Sequence, residues 1–432
     1  MKADFYTRII KTEKKFRYVI AANIVSRFGD SIDAIAYSWM VYTLTGSKAW
    51  LAVILGINMV PTVLFQPLGG ALTEYFNKKK VIVICDFLRG FVVFLTGLFM
   101  LLGVLRPWHL IVLTFINSTI EALRIPNGMA LLPLILSKDN YKAAMSLNQG
   151  ASRTAELVGM GCAGLIIGSL GIGGALFIDA VTFILSGIFF LFIKVTADNA
   201  SVYHLELDSY FASLKEGFHY FKSNDLAIMI CFLCIVLNLC TLPIENLQAA
   251  YISEYLKLDV FAMSVGSTAV TIGMITGALL LPVIGQKISD KWILLNGGVL
   301  IGLLYFAYVL VGFVSWDIGR YITYFAAAFI FGFVNSLFGV TMQVLLMTRV
   351  PEELLGRISS IFNALACSSV PVGSFLLAGL SVALSIVQIY LLTGLFCCKL
   401  PSTATPPYTM PACSLGNLIH LCGTAHRNPH PY

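Results

Sequence analysis

Long apolar stretches recur along the chain and constrain its fold more than any other feature. Each is about as long as the roughly 20 residues that a helix needs to cross a bilayer, and short polar links separate them. Twelve such spans would use about 240 residues, and the chain holds about 250 apolar residues, 58% of its 432. We predict spans near residues 17–44, 49–76, 80–104, 108–136, 145–169, 173–195, 226–256, 262–286, 291–314, 320–348, 356–382 and, shorter, 384–398.

The composition excludes most soluble classes of protein. Charged residues make up 12% of the chain, whereas a soluble globular protein carries roughly 25%. The basic residues behind the net charge of +6 lie beside the apolar runs, so nucleic acid is not a predicted partner. The sequence therefore predicts an all-α polytopic membrane protein built from two pseudo-symmetric six-helix bundles, in which the twelfth helix is short or truncated.

The order of the spans divides the chain into two halves. We predict an N-terminal six-helix bundle over residues 1–195, a polar cytosolic linker over 196–225, a C-terminal six-helix bundle over 226–398 and an irregular tail over 399–432. The halves echo each other, since residues 70–79 end the second span much as 282–291 end the eighth. Parallel repeats with a binding site between them, near the membrane midplane, are a plan that transporters use.

The distribution of lysine and arginine predicts the orientation in the membrane. Most basic residues lie in loops on one side, including those of the basic leader (residues 1–17) and the Lys78-Lys79-Lys80 run. The opposite loops hold Lys48, Arg106, Lys257 and Arg320. Basic residues accumulate in cytoplasmic loops, so this asymmetry places both termini in the cytosol. The first span is too long for the core of a cleavable signal peptide, and we expect it to target the chain itself.

Short motifs in a fixed order connect the chain with a known family. They are residues 26–30 (SRFGD), 42–47 (YTLTGS), Gly70 with Glu74 and 77–79 (NKK), Pro126 with 130–133 (ALLP), and 177–183 (FIDAVTF). Over roughly residues 17–398 the chain resembles the major facilitator superfamily, and within it the macrolide-efflux and enterobactin-exporter branch. The resemblance implies a secondary transporter that works by alternating access.

The link between the second and third spans resembles the gating loop of that superfamily. The matching positions are Gly70, Glu74, Asn77, Lys78 and Lys79, with Glu74 in place of the usual Asp and Asn77 in place of the usual Gly. A carboxylate at a helix end can pair with cations or a helix dipole in one state and release them in another. The alternative is that these lysines only mark the cytosolic side.

Ionisable residues inside the spans are the main candidates for function. Even the mildest scale puts a charge at the bilayer centre at about 2.5 kcal/mol or more, so such groups face water or one another. Within each span the charged residues are spaced i,i+3, which favours pairing on one helix face. These residues are Asp30 with Arg27 and Asp33, Glu121 with Arg124, and Arg153 with Glu156.

Two interpretations of these charges remain open. The charged groups could neutralise one another and only fix helix packing. Alternatively, Asp30 or Glu156 binds and releases protons while Arg124 orients an anionic or polar group. Residues 124–128 (RIPNG) resemble the fourth-helix element of proton-coupled antiporters, with Asn127 in place of Gln, which favours proton coupling.

The second half offers fewer polar groups. Glu245 follows Pro243, where a kink would open backbone carbonyls to a cavity, and Asn335 lies inside the tenth span. We include both in the predicted substrate and proton pathway. Aromatic side chains that could line a site for amphiphiles are Tyr37, Trp39, Phe65, Tyr251, Phe331 and Phe338.

The tail after Cys397 is unusual, because it is rich in proline and histidine and holds no acidic residue. A change of reading frame near Cys397 would explain it, and so would a natural disordered tail. We predict no metal site there or elsewhere in the chain.

Motifs of enzymes are missing from the sequence. It has neither a P-loop nor an H-E-x-x-H zinc motif, and no Ser-His-Asp-like set is visible. We predict that the chain is not an enzyme and uses no cofactor, with the proton gradient as its driving force.

These observations predict a multi-pass transporter of the cell (plasma) membrane that exports amphiphilic, macrolide- or drug-like small molecules in exchange for protons. Two alternatives are a dedicated exporter of one metabolite such as a siderophore, for which Arg124 and Arg153 would suit an acidic substrate, and a truncated membrane protein that does not transport. The expected partners are a small-molecule substrate and the lipid bilayer, and the chain is expected to be monomeric.

Overall fold

A computed structural model describes residues 13–72, 76–137, 140–193, 225–349 and 352–403, and every regular element within these ranges is helical. The first half contains α1 (Lys14–Thr45), α2 (Lys48–Leu72), α3 (Lys78–Leu101), α4 (Pro107–Ile135) and α5 (Tyr141–Leu191). The second half contains α6 (Asp225–Asn246), α7 (Gln248–Ala250), a π-helix (Tyr251–Leu256), α8 (Val260–Ile284), α9 (Asp290–Val311), α10 (Asp317–Arg349), α11 (Glu352–Ala383) and α12 (Ile386–Thr403).

Most of these helices are suited to a bilayer. Among the described residues, seven helices are long and apolar enough to cross one, and a bent pair, residues 231–246 and 248–256, makes an eighth. The 32-residue α1 and the 29-residue α4 are long enough but are interrupted by ionisable side chains. The predicted all-α polytopic architecture is confirmed.

The helix α5 contains two of the predicted spans, joined by a bend at Gly171. Its φ of 72° and ψ of 173° belong to a region of backbone space that only glycine enters easily. Before the bend, Asn23 of α1 donates a hydrogen bond to Asn148 (2.8 Å). After it, the hydroxyl of Ser186 donates to Asp86 of α3 (2.7 Å). Both limbs of α5 therefore contact α1, and the limb after the bend also contacts α3.

The seventh span is broken after Pro243. Helix α6 ends at Asn246, and the next segment turns by 42° before it closes as a π-helix. The ring of Tyr251 on this π-helix is buried in a tyrosine cluster with Tyr305, Tyr308, Tyr324 and Tyr390. The predicted kink is confirmed, and the buried tyrosines hold the kinked segment against the other helices of the second half.

The start of α1 is anchored to the link between α4 and α5. Glu13 accepts hydrogen bonds from the hydroxyl of Ser137 (2.6 Å), from its backbone N–H (3.3 Å) and from the amide of Asn140 (3.0 Å). These bonds, that of the Ser137 hydroxyl most of all, hold the pKa of Glu13 below its ordinary value of 4.5. The carboxylate thus fixes the start of the first helix at the end of the molecule where the predicted cytosolic loops lie.

The twelfth helix extends a little further than its apolar sequence. Its apolar part, residues 386–399, is short as predicted, but the helix continues to Thr403, so the first residues assigned to the tail are helical. The rest of the tail lies outside the described residues, as does the predicted linker up to residue 224. Among the described residues α12 contacts α9, where the thiol of Cys398 faces the carbonyl of Val299 (3.8 Å).

The bend at Gly171 gives a stability prediction. Gly171→Ala forces a β-carbon into this backbone region, which costs about 1–3 kcal/mol. We expect a lower unfolding temperature for this variant in detergent.

The matched control is Gly168→Ala, one turn earlier in the same helix, where a β-carbon meets nothing within 4 Å. If both variants unfold at the wild-type temperature, the bend does not depend on glycine.

Candidate functional site

A polar cavity of about 280 Å³ lies mainly among α1, α3 and α4, and α2 and α5 also contribute to its wall. Five charged side chains line it: Arg27, Asp30, Asp33, Arg89 and Glu121. Asp30, Arg89 and Glu121 each lie near the middle of their helices, so the charges meet halfway along the bundle. In the part of the chain that the structure describes, no group of three or more His, Cys, Asp or Glu is arranged to hold a metal ion.

The guanidinium of Arg89 is the centre of this site. It is 3.2 Å from Asp30 Oδ1 and 3.5 Å from Glu121 Oε2, and its side chain is only 6% exposed. Its Nε donates to Asn117 Oδ1 (3.4 Å), and its Cζ atom lies 4.1 Å from the centre of the Phe183 ring. Arginine suits this place because its planar, permanently charged fork can bind two carboxylates and stack on a ring together.

A second buried ion pair lies beside the first. Arg124 of α4 donates through Nε and Nη2 to the two carboxylate oxygens of Asp86, which is fully buried on α3. The hydroxyl of Ser186 donates to the same carboxylate (2.7 Å). Bidentate arginine–carboxylate pairs of this kind combine strength with fixed geometry.

The predicted pairing of Glu121 with Arg124 is wrong. Both side chains point from α4 towards α3, where Asp86 and Arg89 share the same i,i+3 spacing. Glu121 therefore pairs with Arg89, and Arg124 pairs with Asp86. Two bonds between helices replace one within a helix.

The other predicted charge pairs form as expected. Arg27 is 3.8 Å from Asp30 on α1, and Arg153 is 2.8 Å from Glu156 on α5. The second pair is not part of the cavity wall. Asp33 does line the cavity, and its Oδ1 is buried without a hydrogen-bond partner among the described residues.

The candidates in the second half lie apart from this cavity. Glu245 is exposed on α6 and Asn335 is half-buried on α10, and neither lines the cavity. The structure therefore does not bring them together with the charges of the first half.

The predicted gating loop is described in part. Asn77 caps α3 by accepting a hydrogen bond from the backbone of Lys80 (2.9 Å), and Lys79 donates to the carbonyl of Leu191 (2.8 Å). Lys78 is the first residue of α3, and Gly70 lies in the last turns of α2. Glu74 lies outside the described residues, so the gating role stays a prediction.

A polar link joins the two halves at the opposite end of the molecule. The hydroxyl of Tyr42, near the end of α1, donates to Glu254 of the π-helix (2.8 Å). Lys48, which begins α2, lies 3.8 Å from the same carboxylate and donates to the carbonyl of Leu384 between α11 and α12 (3.2 Å). We call Tyr42, Lys48 and Glu254 the outer latch. It lies where the predicted non-cytosolic loops are.

An apolar groove of about 510 Å³ lies between α1 and α5, lined by Ile24, Val25, Phe28, Ala151, Thr154, Ala155 and Val158. Gly161 follows Thr154 by about two turns on the same side of α5. A β-carbon on Gly161 would be 3.9 Å from Thr268 of α8. The groove therefore lies on the side of α5 that contacts the second half further along.

Several residues of the site were not predicted from the sequence. Asp86 lies three residues before Arg89 inside the third span, which is the i,i+3 pattern that identified the other charges. Asn117 and Glu254 carry no such signal, since Asn117 is a lone amide and Glu254 lies near the end of its span. Contacts between elements distant in the sequence give these residues their places.

Comparisons with known proteins agree with this architecture. Residues 19–374 match the model of the Major Facilitator Superfamily. The MFS-type transporter YvqJ of Bacillus subtilis is 23% identical over 371 residues, 84% of this chain and 85% of that protein. Macrolide efflux protein A of Streptococcus pyogenes is 20% identical over 383 residues, 88% and 92% of the two chains.

The fold has close solved counterparts. The crystal structure of the nucleoside transporter NupG superposes with a TM-score of 0.71 at 12% identity, covering 92% of this chain and 99% of that one. The predicted resemblance to the superfamily, with its macrolide-efflux branch, and the predicted fold are both confirmed. Membership of a transporter family also confirms that the chain is not an enzyme.

The Arg124–Asp86 pair gives a second stability prediction. Arg124→Met leaves the fully buried Asp86 carboxylate without its cation, and removing one partner of a buried pair costs about 3–5 kcal/mol. Adding Asp86→Asn removes the stranded charge, so the double variant is expected to regain much of the loss in thermal stability.

The control is Asp317→Asn. Asp317 is 78% exposed and is 3.4 Å from Arg320, and exposed pairs contribute about 1 kcal/mol or less. Equal losses of thermal stability in Arg124→Met and Asp317→Asn would show that the buried pair stabilises the fold no more than the exposed pair does.

Proposed function

The chain belongs to the Major Facilitator Superfamily, and we propose that it is a secondary transporter that exports amphiphilic small molecules in exchange for protons. The observation that carries this proposal is the charged cavity, where Asp30, Asp33 and Glu121 meet Arg27 and Arg89 halfway along the bundle. Charges at such depth are costly, and here they line space that a substrate or water can enter.

Protons can drive transport through this cavity because its acids outnumber its bases, three to two. Protonation of an acid changes its interaction with Arg89 and with any charged substrate. A driver must bind one conformation more tightly than the other, and a proton meets this requirement when an acid between two helices holds it more tightly in one conformation. Glu156 is a weaker candidate for the proton site than Asp30 or Asp33, since it pairs with Arg153 outside the cavity wall.

The neighbouring groove supports an amphiphilic substrate. Its lining is almost entirely apolar, and Phe28 in that lining is next in sequence to Arg27 of the charged cavity. Ligand sites combine apolar walls with a few placed polar groups. An amphiphile could thus lay its apolar part on α1 and α5 and its charged part near Asp30. The relative named macrolide efflux protein A supports the same class of cargo.

The outer latch supports alternating access. Tyr42 and Lys48 belong to the first half and Glu254 to the second, so these contacts must break when the halves separate at that end. Ion pairs that form in one state and break in the other are a common part of switching transitions.

Export of one dedicated metabolite is a second proposal, although the site suits an acidic metabolite poorly. The arginines expected to suit an acidic substrate are engaged, Arg124 by Asp86 and Arg153 by Glu156. The cavity's excess of carboxylates favours a cationic or neutral cargo instead.

Further features of the proposal concern the setting of the protein. We expect the chain to act as a monomer in the plasma membrane, with its N-terminus in the cytosol and without a cofactor. The small-molecule substrate and the bilayer are its partners. The basic loops support this orientation.

Efflux from energised cells tests the proposed function. Cells that express the chain should export the fluorescent amphiphilic cation ethidium, and collapse of the proton gradient should abolish export. Asp30→Asn should slow it strongly, because Arg89 then loses one of the two carboxylates that lie within 4 Å of it among the described residues.

Asp317→Asn, an exposed acid far from the cavity wall, should export at the wild-type rate. Export that survives collapse of the gradient would rule out proton coupling, and normal export by Asp30→Asn would show that transport does not need the Asp30–Arg89 ion pair.

Hydrogen exchange tests the outer latch. Glu254→Ala removes the acceptor shared by Tyr42 and Lys48, so amide exchange should rise in peptides covering the end of α1, the start of α2 and the π-helix. Asp317→Asn, an acid at the start of α10, should leave exchange at the end of α1 and the start of α2 unchanged. If exchange in Glu254→Ala also stays at the wild-type level, the latch does not hold the halves together.

A further inference from the structure

We propose that Asp179 is a proton-binding residue of the transport cycle, which acts with Asp33 behind the charged cavity. In the conformation described here both would carry a proton, whereas Asp30, Glu121 and Asp86 form ion pairs with arginines. The proposal rests on the proton coupling proposed above. It assigns the protons to two particular side chains, one of which does not line the cavity.

Asp179 lies in the second limb of α5 and is 1% exposed. Its Oδ2 is buried without a hydrogen-bond partner among the described residues. The other oxygen, Oδ1, is 3.1 Å from the hydroxyl of Thr182, and that hydroxyl lies closer, at 2.7 Å, to the backbone carbonyl of Asp179. A hydroxyl has one proton, and the shorter bond directs it to the carbonyl. The free lone pair of Thr182 can then accept a proton from the Asp179 carboxyl group.

The charges in this region balance without Asp179. Three arginines lie in this region, and each forms an ion pair: Arg27 with Asp30, Arg89 with Asp30 and Glu121, and Arg124 with Asp86. Three cations thus meet three carboxylates. Asp33 and Asp179 are left over, and in the described part of the chain neither forms an ion pair. An unpaired ionised carboxylate inside a protein is so costly that the group takes up a proton instead.

Asp179 and Asp33 are placed to act together. The limb of α5 that carries Asp179 lies against α1 at Gly29, where a β-carbon would collide with Asp179 Oδ1 and Thr182 Oγ1. Asp33 is one turn from Gly29, on the same face of α1. Asp30 and Asp33 of α1 and Arg89 of α3 are the charged neighbours that act on Asp179. Two carboxylates that share a site cannot easily both be ionised.

This placement implies an order of events. Asp33 lines the cavity, so it exchanges its proton with water there, and the charge it gains then favours retention of the proton on Asp179. The second proton leaves when movement of α1 against α5 separates the two acids or when Asp33 is protonated again. In each transfer an O–H bond breaks at one carboxyl and forms at another carboxylate or at water, so no other reactant is needed.

Infrared spectroscopy of the purified full-length protein tests the protonation directly. Protonated carboxyl groups have a C=O stretch that carboxylates lack. At neutral pH, Asp179→Asn and Asp33→Asn should each remove part of this signal, whereas Asp317→Asn should leave it unchanged. If Asp179→Asn leaves the signal intact, Asp179 is ionised and the proposal is wrong.

Transport by the same variants tests the role in the cycle. In proteoliposomes, Asp179→Asn should still move ethidium down its own gradient but should no longer accumulate it against that gradient when a pH gradient is imposed. Asp179→Glu, which keeps the acid, should recover part of the accumulation and shows that the position tolerates change. Full accumulation by Asp179→Asn would overturn the proposal.

The proposed transport function and the assignment of a proton to Asp179 can be disproved independently. If the wild-type protein itself shows no accumulation driven by a pH gradient, the proposed function fails. The infrared result still decides whether Asp179 carries a proton.

Discussion

The ionic bonds of Arg89 are the interaction on which the first half of the molecule depends. A charge halfway along a membrane helix is tolerated only if its partners are also at that depth. Arg89 meets Asp30 from α1 and Glu121 from α4, so three helices are joined at their midpoints by one guanidinium. Because the same bonds line a cavity, a change in the charge of any partner alters the packing of helices as well as the affinity of the site.

Around this centre the charges separate into different tasks. Asp86, which is fully buried, and Arg124, whose side chain is 14% exposed, form a closed pair that water and substrate do not need to reach. Asp30 and Glu121 stand between structure and function, since they hold Arg89 and also face the cavity. The unpaired acids, Asp33 and Asp179, are free to exchange protons without breaking an arginine pair. Proton binding therefore affects helix packing, although different carboxylates bind the protons and hold the helices together.

Much of this arrangement follows from the sequence, and the remainder depends on contacts between distant segments. Hydropathy predicted the helices, and the break after Pro243 followed from proline chemistry. The spacing of charges within spans identified Asp30, Asp33 and Glu121 as members of the site. The same reasoning gave Arg124 the wrong partner, because spacing along one helix cannot show that α3 presents Asp86 and Arg89 to α4. Asp179 lies in a family motif, and its role follows from its burial and from the lack of an unpaired cation near it among the described residues.

In the proposed mechanism, substrate and protons compete for the charged site of the first half. The most direct measurement is the release of protons into weakly buffered solution when ethidium is added to the purified protein. We predict that ethidium binding releases protons from the wild-type protein and that the double variant Asp33→Asn, Asp179→Asn binds ethidium without releasing them. Ethidium binding to the wild-type protein with no change in pH would contradict this account.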